Sequence, residues 1–356
     1  MAPIRPVLLV TSDVPPDRVA PLRALHARVP IVVARFGGTR RHATAGVERV
    51  DGFPLLDVTE RQVLRLAAAR GRHAAVIAGT VGKLALPSAY AGARAARVPF
   101  VLWSALWNQP HRVSAPLMRH LYRHADAVAA YGEHVARYAR HHGARNVHLA
   151  PQAVDPAFWS ARPATRDQRG TPPFTALFVG RVEHEKGAGI LLDAWRRTGL
   201  RPPAATLEMV GPGSVDAFGG QVQEDLGVRL AGSQPAAEVR NFLGRADVLV
   251  VPSIATPSFR EPWALVVNEA MHQQLPVIAT DAVGAVAGGL VQHERNGLVV
   301  PAGDAPALAA AIERLAGDAA LRAQLGANGG HDVAALTPEA WAEGMVQALR
   351  SVEVTA

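Results

Sequence analysis

Residues 178–187 read Phe178-Val179-Gly180-Arg181-Val182-Glu183-His184-Glu185-Lys186-Gly187. An apolar run ends at Gly180, a charged turn follows, and a helical pattern begins after Gly187. A strand that passes through a short turn into a helix opens a strand–helix–strand unit. It sets Arg181 and Lys186 near a helix N-terminus at the carboxyl end of a sheet. Helix N-termini and basic side chains together favour phosphate. The competing reading is a solvated turn in which Lys186 pairs with Glu183 or Glu185. Charge alone leaves both open.

The same alternation runs outward in both directions. Towards the N-terminus the strand candidates are Val7–Thr11, Ile31–Ala34, Ala75–Ala78, Phe100–Trp103, Ala127–Tyr131 and Val147–Ala150, with helical stretches such as Glu60–Arg70 and Arg119–Ala125 between them. Towards the C-terminus they are Phe174–Gly180, Thr206–Val210, Val228–Ala231, Val248–Pro252, Val277–Thr280 and Leu298–Val300, with helices such as Gly189–Arg197 and Ala307–Leu315. Strand–helix alternation implies buried parallel sheets with helices on both faces. Pro156–Pro173 holds four prolines and no apolar period, and reads as a linker. The expectation is therefore an α/β protein of two Rossmann-like, doubly wound domains facing a cleft, spanning 1–158 and 172–337. A last helix, Glu339–Arg350, lies in the tail. Ligands of such sheets bind beyond the carboxyl ends of the strands.

Composition agrees with a folded chain. Of 356 residues 49% are apolar and 19% charged, and cysteine is absent. That excludes disorder, disulfide frameworks, thiolate nucleophiles and Cys-bound zinc. The apolar start of the chain is too short for a signal-peptide core, and Val98–Trp107 is about half a membrane span. A soluble, cytoplasmic protein is expected. Charge is uneven: residues 1–160 hold 21 Lys and Arg against 9 Asp and Glu, net +12, and the remainder holds 16 against 21, net −5. Only Lys83 and Lys186 are lysine among the 37 basic residues. A chain that otherwise writes arginine has a lysine in its phosphate-like turn, where a compact charge fits better than a planar fork.

A second segment carries carboxylates. Val251-Pro-Ser-Ile-Ala-Thr-Pro-Ser-Phe-Arg-Glu-Pro-Trp-Ala-Leu-Val-Val-Asn-Glu-Ala-Met271 begins as a strand and ends as a helix, with Pro262 expected at the first helical position. Glu261 then sits at the helix mouth, beside the unpaired N–H groups around Ala264–Val266. Glu269 follows about two turns on, among Val266, Val267, Ala270 and Met271. A carboxylate accepts two hydrogen bonds from vicinal hydroxyls, which suits a sugar or ribose. A helix-dipole charge for Glu261 and a structural ion pair for Glu269 are the plainer alternatives.

The order FVGR…EKG, Gly211-Pro-Gly213, ADVLVVPS, EPWALVVNEAM, LPVIATDAVG and NGLVVPAGD resembles the retaining glycosyltransferases of the GT-B fold, family 4, over about residues 174–305. Glu261 and Glu269 match that family's Glu-x7-Glu signature. Ala127–Asp155 looks like its approach to the hinge. The EPW…NEAM form looks like the branch acting on surface polysaccharides and secondary metabolites.

The resemblance implies that Arg181 and Lys186 hold the diphosphate of a UDP- or GDP-linked donor. It implies that Glu269 binds the ribose, that Glu261 contacts the transferred hexosyl unit, and that the backbone of Trp263, Ala264, Leu265 and Val266 faces sugar and phosphate. Gln234 matches a nucleobase contact. It further implies an enzyme that needs no metal or cofactor, since cations and a helix end neutralise the departing diphosphate. Same-face attack, with a diphosphate oxygen taking the acceptor proton, gives retention without a protein nucleophile. The terminal helix, 338–356, is expected to cross back to the first domain.

The match has departures. Many relatives carry a glycine pair in the first loop, where this chain reads Thr11-Ser-Asp-Val-Pro-Pro-Asp17. Many also carry a histidine where this chain reads Ser104-Ala-Leu106; His111 is the nearest histidine, either a group that approaches the sugar or a solvated loop residue. These departures motivate an alternative, a non-catalytic relative that binds nucleotide or polyanion. His120/His124 and His141-His142 lack a carboxylate pattern for metal. Gly187-Ala-Gly-Ile is not a complete dinucleotide fingerprint, which disfavours a dehydrogenase. Trp103 and Trp107 read as core rather than as stacking platforms. The basic first half predicts an anionic acceptor, or a peripheral contact with an anionic membrane carrying a lipid-linked glycan acceptor; small-molecule acceptors also fit, and no nucleic acid is expected.

Overall fold

The computed structural model describes residues 5–37, 52–80, 82–108, 114–161, 173–214, 226–257 and 259–354. The chain divides into two compact units. The first runs to Asp155 and resumes at Leu336; the second is Pro156–Ala335.

The first unit contains β1 (Val7–Thr11), α1 (Pro16–His26), β2 (Ile31–Arg35), β3 (Leu55–Asp57), α2 (Glu60–Ala67), β4 (Val76–Gly79), α3 (Ala85–Ala96), β5 (Phe100–Ser104), α4 (Ala115–His124), β6 (Ala127–Ala130), α5 (Glu133–His141) and β7 (Val147–Leu149). The second contains α6 (Pro156–Trp159), β8 (Phe174–Val179), α7 (Ala188–Arg197), β9 (Ala205–Val210), β10 (Val228–Gly232), α8 (Ala236–Arg245), β11 (Val248–Val251), α9 (Val266–His272), β12 (Val277–Thr280), α10 (Gly284–Ala287), β13 (Gly297–Val300), α11 (Ala305–Gly317) and α12 (Ala319–Val333). The last helix, α13 (Pro338–Arg350), belongs to the first unit.

Each unit is one parallel sheet. The orders are β3-β2-β1-β4-β5-β6-β7 and β10-β9-β8-β11-β12-β13. Both reverse direction once, between β1 and β4 and between β8 and β11, which is the doubly wound order. The central strands are buried on both faces, as at Val7, Leu8, Leu9 and Val10, because helices cover both sides of a parallel sheet. In the first unit α1 and α13 cover one face, with Leu22, Leu25, Trp341, Met345 and Leu349 against Leu9, Ile77 and Trp103. Helices α2–α5 cover the other through Val63, Leu86, Ala89, Leu121 and Ala139.

The boundary after the first unit lies at Asp155, three residues earlier than the expected 158. The reason is α6: Gln273, fully buried at the end of α9, donates through Nε2 to the carbonyls of Trp159 and Ala161. That holds Pro156–Trp159 on the second unit. Two elements escape the sequence pattern. β3 is a three-residue edge strand whose existence rests on pairing Leu55–Asp57 with Val33–Arg35. α12 carries glycines that argue against a helix. A Cβ on Gly326 would stand 2.1 Å from the Gln274 carbonyl, so close packing of α12 on the end of α9 requires that residue.

Candidate functional site

The second unit brings the two motifs together at its strand-order reversal. β8 ends at Val179, and Gly180 N donates to Val210 O at 2.9 Å. Residues His184–Lys186 form one 3-10 turn, and α7 starts at Ala188. Gly187 joins them with φ +74°, and a Cβ there would lie 1.9 Å from Pro252 O. Only glycine permits the β8 loop to lie this close to the end of β11. The loops are also tied by Ile254 N donating to Glu185 O at 3.1 Å.

This approach sets Lys186 against Glu261, 75 positions away. Lys186 Nζ donates to Glu261 Oε2, and their side chains are 21% and 7% exposed. Ser253 Oγ, buried after β11, donates to the same oxygen at 3.3 Å. The ring of Phe259 lies 5.5 Å from Nζ. Lys186 therefore takes neither Glu183 nor Glu185. Those two go to Arg181, which donates through Nη1 to Glu183 and through Nη2 to Glu185 Oε1 at 3.2 Å. Both cations are balanced by carboxylates. A further carboxylate, Glu269, is half-buried close by in sequence.

The carboxylate motif folds differently from its expected form. α9 starts at Val266, so Pro262 is not its first residue and Glu269 lies in the first turn rather than two turns on. Glu261 bridges Val283 in strand fashion. Gly284 N donates to Glu261 O at 3.0 Å, and Ala285 N to Trp263 O at 2.9 Å. These bonds draw 261–263 out of the helix and towards α10. The chain then turns through Ala264 with φ +72°, a left-handed conformation that is costly for alanine. The N–H groups of Ala264, Leu265 and Val266 donate to no group among the described residues. They are the open end of α9. Trp263 is 4% exposed and its Nε1 donates to Asn268 Oδ1 at 2.7 Å, so this residue offers its backbone, not its ring.

Gln234 follows β10, two strands from β8. It is half-buried, and its Nε2 donates to Ala231 O at 2.6 Å. His111 lies outside the described residues. Ser253 and Asn268 hydrogen-bond to Glu261 and Trp263, and sequence reasoning missed both. The Pro-Ser pair closing β11 was the signal available for the first; for the second there was none.

The first unit presents a different surface at its own reversal. Its first loop is bound internally: Thr11 Oγ1 donates to Asp13 O at 3.1 Å, and Val14 N to Asp13 Oδ1 at 2.8 Å. Glu60 Oε2 accepts from the N–H groups of Leu84 and Ala85 at 2.5 and 2.8 Å, so the open end of α3 already holds a carboxylate. Ser104 is buried, with Oγ 2.7 Å from Tyr122 Oη. Burial pushes the Tyr122 hydroxyl well above its ordinary value, so it stays protonated. His120 and His124 stack on one another at 4.4 Å, and His142 lies 4.2 Å from the Tyr138 ring. Among the described residues no group of three or more His, Asp or Glu could hold a metal ion, and no helix is long and apolar enough to cross a membrane.

Residues 173–318 match the family model described as glycosyl transferases group 1. The chain is 30% identical over 150 residues to the amylovoran biosynthesis glycosyltransferase AmsK of Erwinia amylovora, covering 40% of this chain and 36% of that protein. It is 30% identical over 222 residues to a D-inositol 3-phosphate glycosyltransferase of Pseudarthrobacter chlorophenolicus, covering 57% of this chain and 50% of that one. The matched parts are thus half or less of these relatives' length. The solved structure of Anabaena Alr3699/HepE in complex with UDP and glucose superimposes with a TM-score of 0.74 at 20% identity, over 98% of this chain and 100% of that one. The fold is GT-B.

Proposed function

We propose that the chain is a retaining glycosyltransferase. It moves a hexosyl unit from a UDP- or GDP-linked donor to a glycan, lipid-linked or secondary-metabolite acceptor. The observation that carries the reading is the Lys186–Glu261 pair beside the open end of α9. Two motif residues far apart in sequence meet at the strand-order reversal, where ligands of doubly wound sheets bind. Arg181 and Lys186 are the candidate diphosphate cations, with Glu261 contacting the sugar and Glu269 the ribose. The N–H groups of Ala264–Val266 face phosphate, Trp263 contributes its backbone, and Gln234 is the base contact.

Arg181, Lys186, Glu183, Glu185, Glu261 and Glu269 together carry net −2. A diphosphate therefore binds by exchange. Arg181 gives up Glu183 and Glu185, Lys186 turns from Glu261, and the freed Glu261 carboxylate accepts from sugar hydroxyls. As the glycosidic bond breaks, charge grows on the diphosphate, and the two cations with the helix end stabilise it. No metal is assigned a role, and acceptor attack on the donor's own face gives retention. The similarity to an amylovoran glycosyltransferase supports a glycan acceptor, and the first half's net +12 supports an anionic one. The Glu60 carboxylate on α3 supports assigning the nucleotide to the second unit alone.

The test is calorimetric titration of UDP- and GDP-sugars against the wild type, Lys186→Ala and Glu269→Ala, followed by assay of released nucleotide. Affinity should fall at least tenfold in each variant. Equal affinity in all three overturns the site. The glycine-free first loop and internally bound Ser104 favour a second reading, a non-catalytic nucleotide-binding relative. Donor binding without transfer or hydrolysis selects it.

A further inference from the structure

Ser253 stands two residues beyond β11 and is 1% exposed. Its backbone is tied at three points. The Pro252 carbonyl before it packs on Gly187, where a Cβ would lie 1.9 Å away. Its own carbonyl accepts from Thr280 Oγ1, buried at the end of β12. The Ile254 N–H after it donates to Glu185 O at 3.1 Å. The β8 loop and β12 thus hold this one serine, and a single carbon separates its backbone from its hydroxyl.

That hydroxyl donates to Glu261 Oε2 at 3.3 Å, the oxygen that also accepts from Lys186 Nζ. The two donors differ in freedom. Lys186 carries its charge on a flexible four-carbon stem and is 21% exposed at its side chain, so it can swing to a diphosphate. Ser253 cannot follow, because it is buried and its backbone is tied. An ionised carboxylate only accepts hydrogen bonds, so it gains from a hydroxyl whose proton stays directed at it. A hydrogen bond to a charged group is stronger than one between neutral groups. It matters most when the ammonium is elsewhere, since the buried carboxylate has then lost its counter-charge.

We infer that, within the glycosyl-transfer reading, Ser253 is the positioning residue of the donor site. It keeps Glu261 Oε2 in place and the carboxylate ionised while Lys186 leaves for the diphosphate. The carboxylate then meets the transferred sugar in a fixed orientation. Ser253 acts through Glu261, not on the substrate.

The test uses the whole chain and UDP or GDP, whichever the wild type binds. In calorimetric titration Ser253→Ala should weaken the nucleoside diphosphate about tenfold, the loss of one hydrogen bond to a charge. In a Glu261→Gln background, where no charge needs holding, the same substitution should change affinity by less than about twofold. A merely structural serine would weaken binding equally in both backgrounds. That result, or wild-type affinity in Ser253→Ala, overturns the inference. A wild type that binds neither nucleotide removes the glycosyl-transfer reading, and thermal melting then decides the hold on Glu261 by itself. Ser253→Ala should lower the midpoint more in Lys186→Ala, which imitates the departed lysine, than in the wild type. Equal falls overturn the hold as well.

Discussion

Lys186 is the residue on which the site turns. Its charge serves two roles: it neutralises Glu261, which is 6% exposed, and it is the proposed diphosphate cation. Lys186→Ala leaves that carboxylate buried with Ser253 as a remaining donor. Breaking a buried pair costs about 3 kcal/mol. The urea midpoint of the second unit should fall accordingly, and Lys186→Ala with Glu261→Gln should recover most of the loss. A double variant as unstable as the single one would show that the pair is not the source. The sequence singled out Lys186 and Glu261, and its competing reading paired the lysine with Glu183 or Glu185. Local spacing favours near neighbours, whereas the real partner is delivered by the packing of the β8 loop on β11, which Gly187 permits.

At the scale of elements, periodicity located the central strands within a residue or two, because each is an apolar run bounded by polar turns. It failed at Glu-Pro-Trp-Ala-Leu, which looks like a helix start. Hydrogen bonds from Gly284 and Ala285 compete for that backbone and win, so α9 begins later and Ala264 adopts φ +72°. This strain has a measurable consequence. Ala264→Gly removes the left-handed penalty and should stabilise the second unit by about 1 kcal/mol, while Ala264→Val should destabilise it by at least about that much. Thermal melting reads both. If Ala264→Val melts with the wild type, the turn is not held as described.

For the whole molecule, charge is the property that local contacts do not absorb. Arg28, Arg35 and Arg94 are paired with Glu343, Asp57 and Asp126, yet the first 160 residues keep a net +12. The exposed face of α4 carries Arg119, His120, Arg123 and His124 beside Leu117. Anionic vesicles should therefore retain the chain at low ionic strength and release it as salt shortens the Debye length to about 8 Å. Cosedimentation with phosphatidylglycerol vesicles across a salt series checks this. Retention that is absent, or unaffected by salt, removes the membrane proposal.

The sequence by itself determined the fold class and the place of the central strands along the chain. Alternating apolar runs and turn residues act locally, and local patterns are written in order along the chain. The tertiary structure alone decided which carboxylate meets which cation, where α9 begins, and that α1 shares its sheet face with α13. Those outcomes depend on chain segments far apart in sequence, whose proximity is settled by the packing of helices against a finished sheet.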